Sequence, residues 1–208
     1  MAKKDANQEL LVSYLTLRKV VGALGMLLPI IVAVWGFFLL GWWRLEPSIS
    51  DYYCLRTRDA FVGILFTIGW FLFTYRGYDR RDEIAGNIAC LCALCVALFP
   101  DSGPGLEPVV HYVAAGALFL VLSYFALFLF TLSAPSPTPQ KKKRNVVYGT
   151  CGVVMLGCSA LMVLYHLVHV SPNLAALKPV FWLESIALWA FGFSWFVKGE
   201  TLWRDVEP

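Results

Sequence analysis

The sequence predicts an all-α fold, a polytopic integral membrane bundle of about six transmembrane helices with both termini in the cytoplasm. Three observations predict it. Six long apolar runs follow one another along the chain, the polar segments between them carry very unequal numbers of Lys and Arg, and 59% of the 208 residues are hydrophobic against 15% charged, for a mean hydropathy of +0.65. A soluble fold of this length would leave much of that apolar surface in patches that aggregate, so lipid must solvate it. No alternating pattern points to strands.

The first run, Val20–Trp43, follows a polar start. It is too long for a signal-peptide core and lacks an Ala-x-Ala-like end, so it is expected to remain as an anchor. The second and third runs, about residues 60–75 and 84–100, are short. The charges of Arg76, Asp79, Arg80, Arg81, Asp82 and Glu83 between them cannot sit in hydrocarbon, which makes the pair a hairpin. The fourth, fifth and sixth runs cover about residues 109–133, 146–170 and 179–197. A linker over 134–145 is extended by Pro135, Pro137 and Pro139 and then held at anionic headgroups by Lys141, Lys142, Lys143 and Arg144. Residues 1–208 read as a single membrane domain.

Orientation follows from counting basic residues. The N-terminal tail, the second and fourth connections and the C-terminus hold 13 Lys and Arg, whereas the first, third and fifth connections hold four: Arg44, Arg56, Arg58 and Lys178. The positive-inside rule therefore places both termini in the cytoplasm, in a bacterial inner membrane. The net charge of +3 sits in short clusters beside apolar runs, which argues against a nucleic-acid partner. The expected partners are the bilayer and either further copies of the chain or another membrane protein.

With this topology the ionisable residues near helix ends gather in one outer layer: Asp59, Asp101, His111, His166, His169 and Glu184. His166 and His169 lie three apart and share a helical face, so with His111 they suit a single metal ion, zinc by donor type. Glu184 or Asp59 would then act as the catalytic base on a metal-bound water. The plainer reading makes these groups interfacial, hydrated, or paired with Arg56 and Arg58. Glu184 is the strongest clue, because an acid about a turn inside a membrane helix is costly without a partner. In the first outer loop, Ser50, Asp51, Arg56 and Arg58 suit a lipid headgroup, with the two arginines as anion binders; the alternative is an interfacial cap. Cys92 and Cys95 spell CxxC inside an apolar run, where small-residue helix packing explains them.

Three functions fit. The first is a membrane protein that binds or acts on lipid headgroups through the outer layer, with a metal; catalysis and simple binding are both consistent with it. The second is a membrane effector, such as the toxin-like component of an antiphage defence system, that disrupts the inner membrane. The third is a non-catalytic partner of another membrane protein.

The run Pro47-Ser48-Ile49-Ser50-Asp51-Tyr52-Tyr53, with Arg58-Asp59-Ala60-Phe61-Val62-Gly63 leading into the second helix, resembles a bacterial family of small six-span membrane proteins that is loosely Frag1-like. The resemblance implies the six-span fold and brings no activity with it. The zinc-dependent membrane hydrolases related to alkaline ceramidases differ: no Ser stands four residues before His111, and His166 and His169 are three rather than four apart.

Overall fold

The computed structural model describes residues 2–40, 45–77, 79–133, 135–168 and 171–204, with side chains from Tyr14 onward except at Leu40. The described chain is helical throughout its regular elements: α1 (Ala2–Leu40), a short 3-10 helix (Ser50–Cys54), α2 (Arg58–Thr74), α3 (Arg80–Leu98), α4 (Glu107–Tyr124) continued by a π-turn (Phe125–Leu129), α5 (Pro139–Leu167), the short α6 (Pro172–Ala176) and α7 (Pro179–Lys198). Among the described residues, four stretches are long and apolar enough to cross a membrane: Tyr14–Leu39, Glu107–Leu129, Pro139–Leu167 and Pro179–Lys198. The other two long helices, α2 and α3, have 17 and 19 residues, and α3 opens on four consecutive charges.

Local chemistry sets the helix ends. Asp79 caps α3 by accepting from the Arg81 amide at 2.7 Å, while Asp82 reaches back to the Asp79 amide to close a capping box. Thr138 caps α5 by accepting from the Lys141 amide at 3.0 Å, and Pro139 supplies a preset first helical φ. Hence α5 starts at Pro139 rather than near residue 146, and Lys141–Arg144 ride on its first turns instead of extending a linker. The same correction applies to α1, which begins at Ala2 rather than Val20. Apolar runs mark where hydrocarbon can lie, and a helix continues past that limit whenever its polar end is capped or solvated.

α7 lies between α1 and α5, and the α2–α3 hairpin packs through α3 on α4. The α1–α7 crossing is close because two glycines meet: a Cβ on Gly192 would sit 2.4 Å from the Gly22 carbonyl oxygen, and one on Gly22 would sit 2.6 Å from that of Gly192. Tyr75, Phe125, Phe130 and Trp195 fill one end of the bundle, with ring centroids 5.0 Å apart for Tyr75–Trp195 and 5.2 Å for Phe130–Trp195. The π-turn explains how α4 supplies two of these rings. Its Phe130 amide bonds the Phe125 carbonyl at 2.8 Å, and the widened turn brings residues five apart to one side, where both are fully buried. Large apolar side chains such as Trp35, Phe38, Leu91, Phe128 and Val153 point outward and are exposed. That is the surface of a protein solvated by lipid.

Candidate functional site

The first, third and fifth connections meet at the end of the bundle away from the aromatic cluster. The Phe181 amide donates to the Pro47 carbonyl at 3.0 Å, and the Ile49 amide donates to Glu184 Oε2 at 2.6 Å, which pins the first connection to the opening turns of α7. Asp51 Oδ2 accepts from the Ser48 amide and hydroxyl at 2.8 and 2.9 Å. The Asp51 amide in turn donates to Ser48 Oγ at 3.1 Å. This reciprocal closure launches the 3-10 helix and turns Tyr52 and Tyr53 inward, both buried. Tyr53 donates its hydroxyl to the Leu98 carbonyl at 3.0 Å, tying the loop to the end of α3.

His111, in the second turn of α4, is fully buried. Its Nδ1 lies 2.7 Å from the Phe99 carbonyl oxygen, which only accepts, so Nδ1 carries a proton. In the neutral ring Nε2 is then the acceptor, and Ser50 Oγ donates to it at 2.9 Å. One imidazole thus joins the first connection, the third connection and α4. Asp101 stands beside this bridge. It is 7% exposed, and its Oδ1 has no hydrogen-bond partner among the described residues. Burial, and after it the charge of Asp51, push its carboxyl above the usual range, against the opposing influence of His111 and Ser102.

These groups line the polar end of a cavity of about 1050 Å³. Ser50, Asp51, Asp101, His111 and Glu184 form that end together with Tyr112, His166 and Lys178. The remainder is apolar, with Ala115, Gly116, Phe119 and Leu120 from α4 facing Leu156, Ala160 and Val163 from α5. Leu120 and Val163 are 57% and 59% exposed, so the shaft opens sideways through the flank of the bundle between α4 and α5.

Of the residues singled out by sequence, Glu184, His111, His166, Ser50 and Asp51 line this one cavity. Asp59, Arg56 and Arg58 do not; all three are exposed. Asp59 sits in the first turn of α2, where a negative charge favours the helix N-terminus. The Arg58 guanidinium lies 4.6 Å from the Tyr53 ring centroid and donates to its hydroxyl at 2.9 Å. His169 lies outside the described residues.

Of the three histidines expected to hold zinc, the structure describes His111 and His166. No group of three His, Cys, Asp or Glu among the described residues converges as a ligand set. The Tyr112 ring stands next to both His111 and His166, at centroid distances of 5.7 and 6.1 Å, and the His111 Nε2 lone pair is taken by Ser50. The spacing argument for His166 and His169 assumes one helix through both, but α5 ends at Leu167 and Val168 is extended.

The sequence reading missed the apolar shaft. Its signal is Ala115 and Gly116 in α4 and Ser159 and Ala160 in α5. Small residues ordinarily mark close helix packing, but a Cβ on Gly116 would meet nothing within 4 Å, so here it leaves space. Chemically, Ser50 and His111 are arranged as a nucleophile and base are. Three carboxyl groups and Lys178 line the same end of the cavity. Compared with protein-family models, with curated proteins and with solved structures, the chain matches none, so its own geometry carries the functional reading.

Proposed function

We propose that this chain is a multi-pass membrane protein that binds a lipid-like amphiphile, its tail between α4 and α5 and its amine or quaternary ammonium group against Asp51, Asp101 and Glu184. The observation that carries the reading is a cavity acidic at one end, apolar along the rest, and open at its flank. Ligand pockets generally occupy roughly 300–1,000 Å³, so the space suits a molecule of lipid size. Tyr112 at the polar end adds a ring face to which a cation is attracted.

In this proposal all six long helices cross a bacterial inner membrane, with both termini in the cytoplasm and the acidic end outward. The 13-to-four distribution of basic residues supports the orientation. Ile84, Ile88 and Leu91 support α3 as a span, because they form one exposed apolar stripe along it. A pore-forming effector is less well supported, since aromatic rings are packed across one end of the bundle and a breach of the membrane would need oligomers or lipid disruption.

Gly116→Leu tests the binding. The substitution adds bulk into open space on the shaft wall and leaves helix packing alone. Wild-type protein extracted in mild detergent is expected to retain an amine-bearing lipid detectable by mass spectrometry, and the variant to purify normally while losing it. Retention of the same lipid by both proteins would refute the proposed cavity function.

A further inference from the structure

The bridge from Ser50 through His111 to the Phe99 carbonyl has the bonding order of an activated nucleophile: hydroxyl, base, and a third group that orients the base. The acceptor at one end sets the protons. Phe99 O takes the Nδ1 proton at 2.7 Å, which leaves Nε2 with a lone pair facing the Ser50 hydroxyl at 2.9 Å. The neutral imidazole is therefore held in the tautomer that can remove a proton from Ser50 Oγ. His111 is fully buried and Ser50 is 8% exposed, yet both line the cavity between α4 and α5.

The position of the pair along that cavity decides what it meets. His111, Ala115 and Phe119 follow one another at four-residue steps on α4, so they share a face. All three line the cavity, His111 at its polar end and the other two along the apolar shaft. The pair thus stands about one helical turn, ~5.4 Å, from where the apolar wall begins. An amphiphile with its ammonium group at Asp51, Asp101 and Glu184 and its tail in the shaft has the bond between head and tail at this boundary. Asp101 interacts electrostatically with His111, and a carboxylate there favours the imidazolium that forms when Nε2 takes a proton. Lys178 lines the same end, half-buried at the entry to α7 with a left-handed φ of 54°, a conformation that is costly for a residue other than Gly. Its charge opposes the negative charge that develops on a carbonyl oxygen under attack.

We propose that Ser50 is an acyl-transfer nucleophile with His111 as its general base, and that the substrate is a long-chain ester whose alcohol part carries a positive charge. The reaction rests on the amphiphile reading of the cavity and adds chemistry to it. Ser50 Oγ bonds the ester carbonyl carbon as its proton passes to His111 Nε2. The bond from that carbon to the alcohol oxygen then breaks, and the alcohol leaves with the proton while the acyl group stays on Ser50. Water next bonds the acyl carbon and gives a proton to Nε2, and Ser50 Oγ leaves and recovers it. One ester and one water yield one acid and one alcohol. The Phe99 carbonyl positions the ring throughout and takes no proton.

The experiment uses the full chain in mild nonionic detergent, with palmitoylcholine as substrate, the palmitate ester of a neutral carbon isostere of choline as its control, and an alkyl fluorophosphonate as the label for activated serines. Wild type is expected to release palmitate from the charged ester faster than from the neutral one, and to carry the label on the peptide containing Ser50. Ser50→Ala should lose the label and at least about a hundredfold of the rate, yet keep the thermal shift that palmitoylcholine gives the wild type. A thermal shift in both proteins without label or palmitate release overturns the reaction and leaves the amphiphile reading standing. No shift, label or release in either protein overturns both. Equal rates on the two esters refute the charged substrate, and an undiminished rate in Ser50→Ala refutes the nucleophile. Should Ser50→Ala not purify as a monodisperse species, labelling of the wild type decides: a label away from Ser50, or none, overturns the proposal.

Discussion

Among single residues, Asp101 has the clearest physical consequence, because it is buried at the polar end of the cavity with an oxygen left over. Its carboxyl is raised above its ordinary value of 3.8 by burial first and by Asp51 second. A carboxyl raised in the folded state binds its proton more tightly there than in the unfolded chain. Its contribution to stability is therefore complete at acid pH and is lost as pH climbs through the folded value. Asp101→Asn cannot ionise and is expected to gain stability relative to wild type from acid toward neutral pH, measured as thermal unfolding in detergent across a pH series. Parallel curves for the two proteins would contradict the assignment. An amine amphiphile supplies the missing positive charge, so at neutral pH it should stabilise the wild type more than Asp101→Asn. Asp101 was legible from sequence as one of a layer of acids, but its orphaned oxygen was not, because that depends on which side chains three separate connections bring beside it.

The helices divide into those whose contacts are set by backbone proximity and those that leave room. Gly192 belongs to the first kind, since a Cβ there would strike the Gly22 carbonyl of α1, and a backbone atom cannot turn aside as a side chain can. Gly192→Ala is expected to cost roughly 1–3 kcal/mol by forcing α1 and α7 apart. Gly63→Ala, where a Cβ meets nothing within 4 Å, should be neutral or gain up to about 1 kcal/mol from helix propensity. Unfolding in denaturing detergent distinguishes the two, and equal stability would show that the α1–α7 crossing relaxes freely. From sequence, Gly22, Gly25, Gly63, Gly152 and Gly157 are alike as small residues in apolar helices. Gly22, Gly25 and Gly152 are in fact tight, whereas Gly63 and Gly157 are open. The distinction depends on what lies across the interface, which a helical period does not encode.

At the scale of the whole molecule, the two ends differ in charge: Asp51, Asp101 and Glu184 outnumber Lys178 in the cavity between α4 and α5, whereas Arg18, Lys141, Arg144 and Lys198 outnumber Glu200 around a smaller pocket at the other end. This polarity makes orientation testable through Cys54, the exposed cysteine of the first connection, whose Sγ lies 3.4 Å from Ser102 Oγ. A membrane-impermeant maleimide is expected to label it in intact cells, and Cys54→Ser to remove that signal. Labelling only after permeabilisation would invert the proposed topology.

Composition and the spacing of apolar runs were enough to determine an all-helical chain with membrane-length spans, because both depend on local properties: transfer of side chains into hydrocarbon and internal pairing of the backbone. The same reasoning placed Ser50, Asp51, His111, His166 and Glu184 at one end, where they do line one cavity. Tertiary structure alone decided that Arg56, Arg58 and Asp59 turn away from it, that the Ser50–His111–Phe99 bridge occupies a supposed metal ligand, and that α4 and α5 part to leave an apolar shaft. It also decided that Arg18, Lys141, Arg144 and Lys198 converge, although up to 180 residues separate them. Local sequence sets which face and which depth a side chain occupies; only the packing of distant helices sets what it meets there.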